Sequence, residues 1–343
     1  MKTTTKQTSW TILAALALIV SLFTASEAKA AQSFDNPDTI VVARDGTGQF
    51  RTVGEAIEVC RAFMDYHKVI FVKRGTYKEK IIIPQWLQNI EICGEDRDQT
   101  IITWDDHANI LADISPLTSQ STPQKIGTFR TYTLKIEGNA ITLKNITIEN
   151  NAARLGQAVA LHTEGDRLVF INCRFLGHQD TIYTGMAATR LYFKDCHIEG
   201  TTDFIFGPST AWFEHCDILC KANSYITAAS TPKEQMYGYI FNNCTISCEP
   251  NVTKVYLGRP WRDYGYTLFM HCTLPAQIPP QGWHHWQKER EQTARYLEFE
   301  NNGEGADTSQ RAPWTRQLTK KEAQKITLEA VFQRSDNWQP AAK

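Results

Sequence analysis

The chain has 343 residues, with 36 Lys plus Arg against 37 Asp plus Glu and a formal net charge of −1. That length can bury a sizeable core in one large domain or two ordinary ones, and a near-zero charge with scattered basic residues excludes a strong electrostatic pull toward nucleic acid or an anionic membrane. The nine cysteines cannot all pair internally, and they include no C-x-x-C pair that would suggest a zinc site.

The N-terminus reads as a signal peptide over residues 1–30. Lys2 and Lys6 form a positive start, residues 10–23 are mostly apolar, and Ala28-Lys29-Ala30 is a small-residue cleavage site. The apolar stretch is short of the ~20 residues a membrane span needs. Cleavage before Ala31 removes three Lys and one Glu, taking the net charge from −1 to −3. The expectation is an exported protein, periplasmic or extracellular, with no membrane association after cleavage and one domain over residues 31–343.

Residues 39–43 predict a short strand, followed by the turn Asp45-Gly46-Thr47-Gly48. Thr52 with Glu55 three residues on is a capping box. Apolar residues at Val53, Ala56, Ile57, Cys60, Phe63 and Met64 then predict a helix over 53–64. A strand over 68–73, a turn at Gly75-Thr76-Tyr77 and short strands at 81–83 and 90–92 follow.

From about residue 128 the chain repeats itself. Residues 141–148, 168–175, 191–198, 211–218, 239–246 and 267–274 share one pattern: an apolar run, a polar residue, Cys (Ile146 in the first), a polar residue, an apolar residue. The steps between the Cys positions are 27, 23, 20, 28 and 28 residues. A period in the twenties, with short strands and no helical periodicity between them, marks a solenoid. The fold predicted is an all-β, right-handed parallel β-helix whose equivalent residues stack ~4.8 Å apart. Cys173, Cys196, Cys216, Cys244 and Cys272 then form an inward ladder of small hydrophobes. Cys220 and Cys248 remain open to pairing with neighbours. The helix at 53–64 would cap the first coil, whose core and edges are otherwise exposed. Beyond residue 275 the repeat stops. An aromatic-rich loop holds Trp283 and Trp286, and a second capping box, Thr319 with Glu322, opens a helix to about Phe332 that packs on the solenoid's side or end.

Asp180 lies seven residues after Cys173, and Asp203 seven residues after Cys196. Equal offsets in consecutive coils place the two carboxylates in neighbouring positions. Like charges that close push their pKa values apart, one ionised and one protonated, as a nucleophile and a general acid require. Asp is also a common turn former, so either residue alone reads as a turn. Gln179 precedes Asp180 and Gln157 lies one coil earlier; amide donors beside a nucleophile suit a developing oxyanion, though a structural amide ladder would also explain them. Arg259 can fork onto a carboxylate, and Trp261 offers a face to a sugar ring.

Five motifs taken together resemble the pectin methylesterase (pectinesterase) family, in its bacterial secreted type. They are Gly75-Thr76-Tyr77-Lys78-Glu79, Gln157-Ala158-Val159-Ala160-Leu161, Gly177-His178-Gln179-Asp180-Thr181-Ile182-Tyr183, Asp203-Phe204-Ile205-Phe206-Gly207 and Leu257-Gly258-Arg259-Pro260-Trp261. They stand in family order, and the resemblance runs from about residue 39 to about 335. It implies an ester hydrolase that removes methyl groups from homogalacturonan without a metal or other cofactor, acting as a monomer. It also implies roles: Asp203 as nucleophile, Asp180 as acid/base, Gln157 and Gln179 as oxyanion donors, and Arg259 as the partner of Asp203. Thr128, Tyr183, Phe206 and Trp261 would line the sugar groove. The chain departs from the family pattern at His178, where Tyr is usual, and at Thr202, where an aliphatic residue is usual. The competing readings are a pectate lyase or polygalacturonase on the same fold, and a pectin-binding solenoid without catalysis. A lyase wants a calcium site of several acidic residues, which this site does not offer.

Overall fold

The computed structural model describes residues 39–112 and 124–340. The expected signal peptide lies outside the described residues. Three parallel sheets, one of eleven strands and two of seven, are built by a chain that visits each sheet once per coil. The result is the parallel β-helix read from the repeat.

The reason for the fold lies in its stacked layers. Phe170, Phe193, Phe213, Phe241 and Phe269 pair in register on consecutive strands of the large sheet. Their rings stack with centroids 4.5, 4.6, 4.4 and 4.4 Å apart, the spacing of the strands themselves. The same row continues upstream through Leu143, Ile92, Ile70 and Ile40. Among the described residues the solenoid therefore already runs at residue 40, well before the repeat is visible in the sequence.

The polar residue before each Cys also has a physical cause. Asn145, Asn172, Asp195, His215, Asn243 and His271 adopt φ between 50° and 56°. They turn the chain from one sheet to the next in the left-handed region, where Asn, Asp and His cost least among residues with a Cβ. The following cysteines point inward as expected. All five are buried, and each thiol donates to a main-chain carbonyl of the preceding coil, such as Cys173 to Leu143 at 3.4 Å and Cys196 to Phe170 at 3.5 Å. All nine cysteines are free thiols, with Cys220 and Cys248 directly in register on adjacent strands.

Four local expectations need correction. The helix at the N-terminal end spans only Val53–Glu58. Its capping box forms, but the chain turns at Cys60, and Phe63, expected on the buried face, has φ 57° and is 76% exposed. Gly75–Lys78 is a strand rather than a turn, held by pairing with Thr100–Trp104. The large sheet does not stop at 275: Arg295–Phe299 and Arg316–Gln317 add two more strands. The C-terminal helix is two short helices, Lys320–Ala323 and Leu328–Phe332, because the chain leaves the helix after Gln324 and Thr327 caps a new one.

The cap and the side covering do lie where expected. Val53, Ala56 and Ile57 bury against the first strands, and the Glu79 carboxylate accepts from the Val53 and Gly54 amides at 3.0 and 2.9 Å. Phe332, Val331, Ile326 and Ala323 pack on Val169, Tyr192, Trp212 and Ile240, the outer face of the large sheet. Arg190, buried beneath them, bonds the carboxylates of Asp166 and Asp336 at 2.6 and 2.5 Å. No helix among the described residues is long and apolar enough to cross a membrane.

Candidate active site

Asp180 and Asp203 each sit two residues before a strand of one seven-stranded sheet, Ile182–Thr184 and Ile205–Gly207. Those strands pair Ile182 with Ile205 and Tyr183 with Phe206, so the aspartates occupy matching positions on adjacent coils. Both have left-handed backbone, φ 68° and 50°. Each amide bonds the next coil: Asp180 N–H to the Thr202 carbonyl at 3.1 Å, Asp203 N–H to the Tyr225 carbonyl at 2.8 Å. Phe204 packs directly beneath, with its Cβ so close to Gly200 that a side chain there would collide at 2.2 Å. The result is a rigid floor that holds two carboxyls at 8% and 5% exposure.

The environments of the two groups differ. Arg259 forks onto Asp203, Nε to Oδ1 at 3.0 Å and Nη2 to Oδ2 at 2.6 Å. Its guanidinium is held between the rings of Tyr225 and Trp286, 4.0 and 3.9 Å from their centroids, which fixes the fork's plane. Burial raises the pKa of Asp203, and the Arg259 fork opposes that rise. Asp180 has no such fork. Burial, and then the charge on Asp203, push its pKa well above the usual carboxylate range. Asp203 therefore loses its proton first and Asp180 holds its own.

The cavity above the pair measures about 340 Å³. It is lined by Asp180, Asp203, Gln157, Gln179, Arg259, Thr128, Phe206 and Trp261, all read from the sequence, and by Phe129, Ala228 and Trp286, which were not. Tyr183 stands behind the lining, stacked on Phe206 at 4.7 Å and tilted against Phe129 at 4.8 Å. Phe206 in turn meets Trp261 edge-on at 5.8 Å. The backbones of Gln157 and Gln179 are fixed, their carbonyls accepting from Ala108 and Ala158 at 2.8 and 3.0 Å. Their side-chain amides have no protein partner among the described residues and are free to meet a ligand. Thr202 turns its hydroxyl away to Ser224 at 2.7 Å. A larger cavity of about 760 Å³ lies between Pro232, Met236 and the helix Leu328–Phe332 and contains none of these residues.

The residues missed come from two sources. Phe129 follows Thr128 in a short 3-10 turn, and adjacency was the available signal. Tyr225 and Trp286 act through Arg259, from a neighbouring coil and from the loop after the last full repeat. Trp286 lies in the aromatic-rich stretch, but no spacing rule ties it to the aspartates.

A parallel β-helix with two buried, unequal carboxyls and free amide donors defines a class: an ester hydrolase acting on carbohydrate, in keeping with the comparisons. The chain belongs to the pectinesterase family, whose model matches residues 39–335. It is 37% identical over 285 residues to Pectinesterase 31 of Arabidopsis thaliana, covering 82% of this chain and 88% of that one. It is 35% identical over 331 residues to a probable pectinesterase/pectinesterase inhibitor of the same plant, covering 92% of this chain. The chain spans about half the length of that second relative, 47%. A pectin methylesterase from carrot superposes with a TM-score of 0.77 at 32% identity, over 85% of this chain and 92% of the other. Another, solved in complex with a hexasaccharide, gives 0.71 at 27% identity over 88% and 98%. These relatives do not single out the bacterial type expected from the motifs.

Proposed function

We propose that this protein hydrolyses the methyl esters of homogalacturonan, with Asp203 as nucleophile and Asp180 as acid and base. The observation that carries the assignment is the asymmetry of the pair: Arg259 forks onto Asp203 alone, while Asp180 is buried beside that charge. The ionised Asp203 attacks the C6 carbonyl carbon of a methylated galacturonate. The carbonyl oxygen takes up negative charge, which the free amides of Gln157 and Gln179 meet, each donor contributing on the order of 10²-fold in rate. As the tetrahedral species collapses, the bond to the methoxy oxygen breaks and Asp180 gives its proton to the departing methanol. An acyl-enzyme on Asp203 remains. Asp180, now ionised, takes a proton from water, and the resulting hydroxide attacks the acyl carbon. The products are a free galacturonate carboxyl and the Asp203 carboxylate, with Asp180 protonated again.

The wall of Phe129, Tyr183, Phe206 and Trp261 supports a sugar-binding role, since aromatic faces suit the apolar face of a pyranose. Thr128 at the rim adds a hydroxyl. The test is methanol release from methylated oligogalacturonides. Asp203→Asn is expected to fold and to lose activity by at least about 10³-fold; near-full activity in that variant would overturn the assignment.

Export follows from the leader-like residues 1–30, leaving one domain over 31–343 that works as a monomer. N-terminal sequencing of the protein from a secreting host should begin at Ala31; retention of Met1 would exclude cleavage.

A further inference from the structure

Arg259 acts on Asp203 only while its guanidinium lies in the plane of the carboxylate, and one of the two rings that hold it there stands on an unfavourable backbone. Trp286 has φ 60°, the left-handed region that a bulky side chain enters rarely and at a cost. Such a conformation persists where its surroundings hold it. Here the Trp286 N–H donates to the His284 Nδ1 at 3.1 Å. The imidazole takes the part that an Asn or Asp side-chain oxygen plays when it accepts from the amide two residues on. Acceptance requires an unprotonated Nδ1, so the ring proton sits on Nε2.

His284 is itself fixed to the strand that delivers the arginine. Its N–H donates to the carbonyl of Gly258, the residue before Arg259, at 3.1 Å, and Trp283 bridges the same Gly258 in parallel. Its ring packs on Tyr225 at 5.4 Å and edge-on against Tyr256 at 5.6 Å. Tyr225 is the other ring that holds Arg259. One imidazole therefore backs the wall on one side of the guanidinium and ties down the main chain of the wall on the other.

The titratable groups that face His284 are Tyr225, Tyr256, His285 stacked on it at 4.7 Å, Arg259 and Lys254. His285 is matched by Glu291 at 3.2 Å and Arg259 by Asp203, while Lys254 lies over the Tyr256 ring. Burial, then the charges of His285, Arg259 and Lys254, hold the His284 pKa below the ordinary imidazole value. Nδ1 thus remains an acceptor into mild acid.

We propose that His284 is a positioning residue for the Arg259–Asp203 pair: its Nδ1 holds the Trp286 backbone and its ring backs Tyr225, so that the guanidinium stays in the plane of the carboxylate and Asp203 stays ionised. The inference rests on the esterase reading for its catalytic consequence and adds to it a residue that no sequence motif assigned.

Two substitutions separate the acceptor from the bulk of the ring. His284→Ala removes both, whereas His284→Asn keeps an acceptor for the Trp286 amide and does not titrate. In His284→Ala the acid limb of kcat/KM for methanol release should move to higher pH by about one unit, because a loosened guanidinium no longer opposes the effect of burial on Asp203. His284→Asn should bring the limb most of the way back. A purely structural defect lowers kcat/KM alike at every pH, and a limb that stays in place in His284→Ala would overturn the proposal. It would mean that Arg290, whose Nη1 donates to the Pro260 carbonyl at 2.7 Å, holds the loop without His284. An Asn variant shifted as far as the Ala variant would overturn it too. Carboxyl-carbon NMR of isotope-labelled aspartate is a second measurement, independent of turnover. The first proton to leave the aspartate pair should leave at higher pH in His284→Ala than in wild type, and close to the wild-type pH in His284→Asn. Identical titrations in all three proteins overturn the proposal, and the shift supports it even if methanol release were absent and the esterase reading failed.

Discussion

Two carboxyls buried a strand spacing apart cost the protein stability, and the sign of that cost can be worked out. Asp180 has a folded pKa well above its unfolded value, from burial and the charge of Asp203. Such a group favours the fold at pH values below its unfolded pKa and loses that contribution as pH rises toward the folded one. Asp180→Asn is neutral at every pH, so it should be more stable than wild type at pH 7, with the difference shrinking toward zero near pH 4. Urea denaturation at both pH values checks this; a destabilised variant at pH 7 would contradict it. The pair was legible in the sequence because each Asp stands at the same distance from a ladder cysteine. Which carboxyl is ionised came only from the resemblance, through Arg259 as the partner of Asp203; that Tyr225 and Trp286 hold this cation was not legible, because their places relative to Arg259 depend on coils and loops folding together.

At the scale of elements, the stacked phenylalanines form one continuous buried row of the core. Phe213 lies between Phe193 and Phe241, with centroids at 4.6 and 4.4 Å, and is fully buried. Phe213→Ala should destabilise by about 3–5 kcal/mol in chemical denaturation, since the layers above and below cannot close the gap without losing register. A loss under about 1 kcal/mol would mean the coils slide to fill it. The strands after residue 141 were readable because Cys recurs in them. The earlier coils carry Ile40, Ile70 and Ile92 in the same row without the Cys marker, and their solenoid character was missed. The helix ends were misjudged for a related reason. Apolar spacing continues through Met64, but the burial of Cys60 and Met64 is achieved by a turning chain rather than by further helical turns.

For the molecule as a whole, stability passes from coil to neighbouring coil, and the C-terminal segment is an exception that ties distant parts together. Arg190, on a central strand, bonds Asp166 and also Asp336 and the Phe332 carbonyl near the end of the chain. Arg190→Met removes both ion pairs and should lower the melting temperature by a few degrees and expose the segment after residue 320 to protease. Unchanged cleavage there would show that the apolar contacts of Phe332 and Val331 suffice. That a covering segment existed was legible from the second capping box. Its anchor was not, because Arg190 and Asp336 are far apart in sequence and neither stands in a motif.

The fork on Asp203 has a consequence for biosynthesis. A solenoid can assemble in the order in which its coils are made, and Asp180 and Asp203 come together as soon as the strand Ile205–Gly207 pairs with Ile182–Thr184. Arg259 and Trp286 are synthesised later. A growing chain, or one cut short before residue 259, has its acidic pair in place with no cation to ionise it. On the proposed roles, chemical competence is among the last properties the molecule acquires, and a product cut short before residue 259 is expected to be inert.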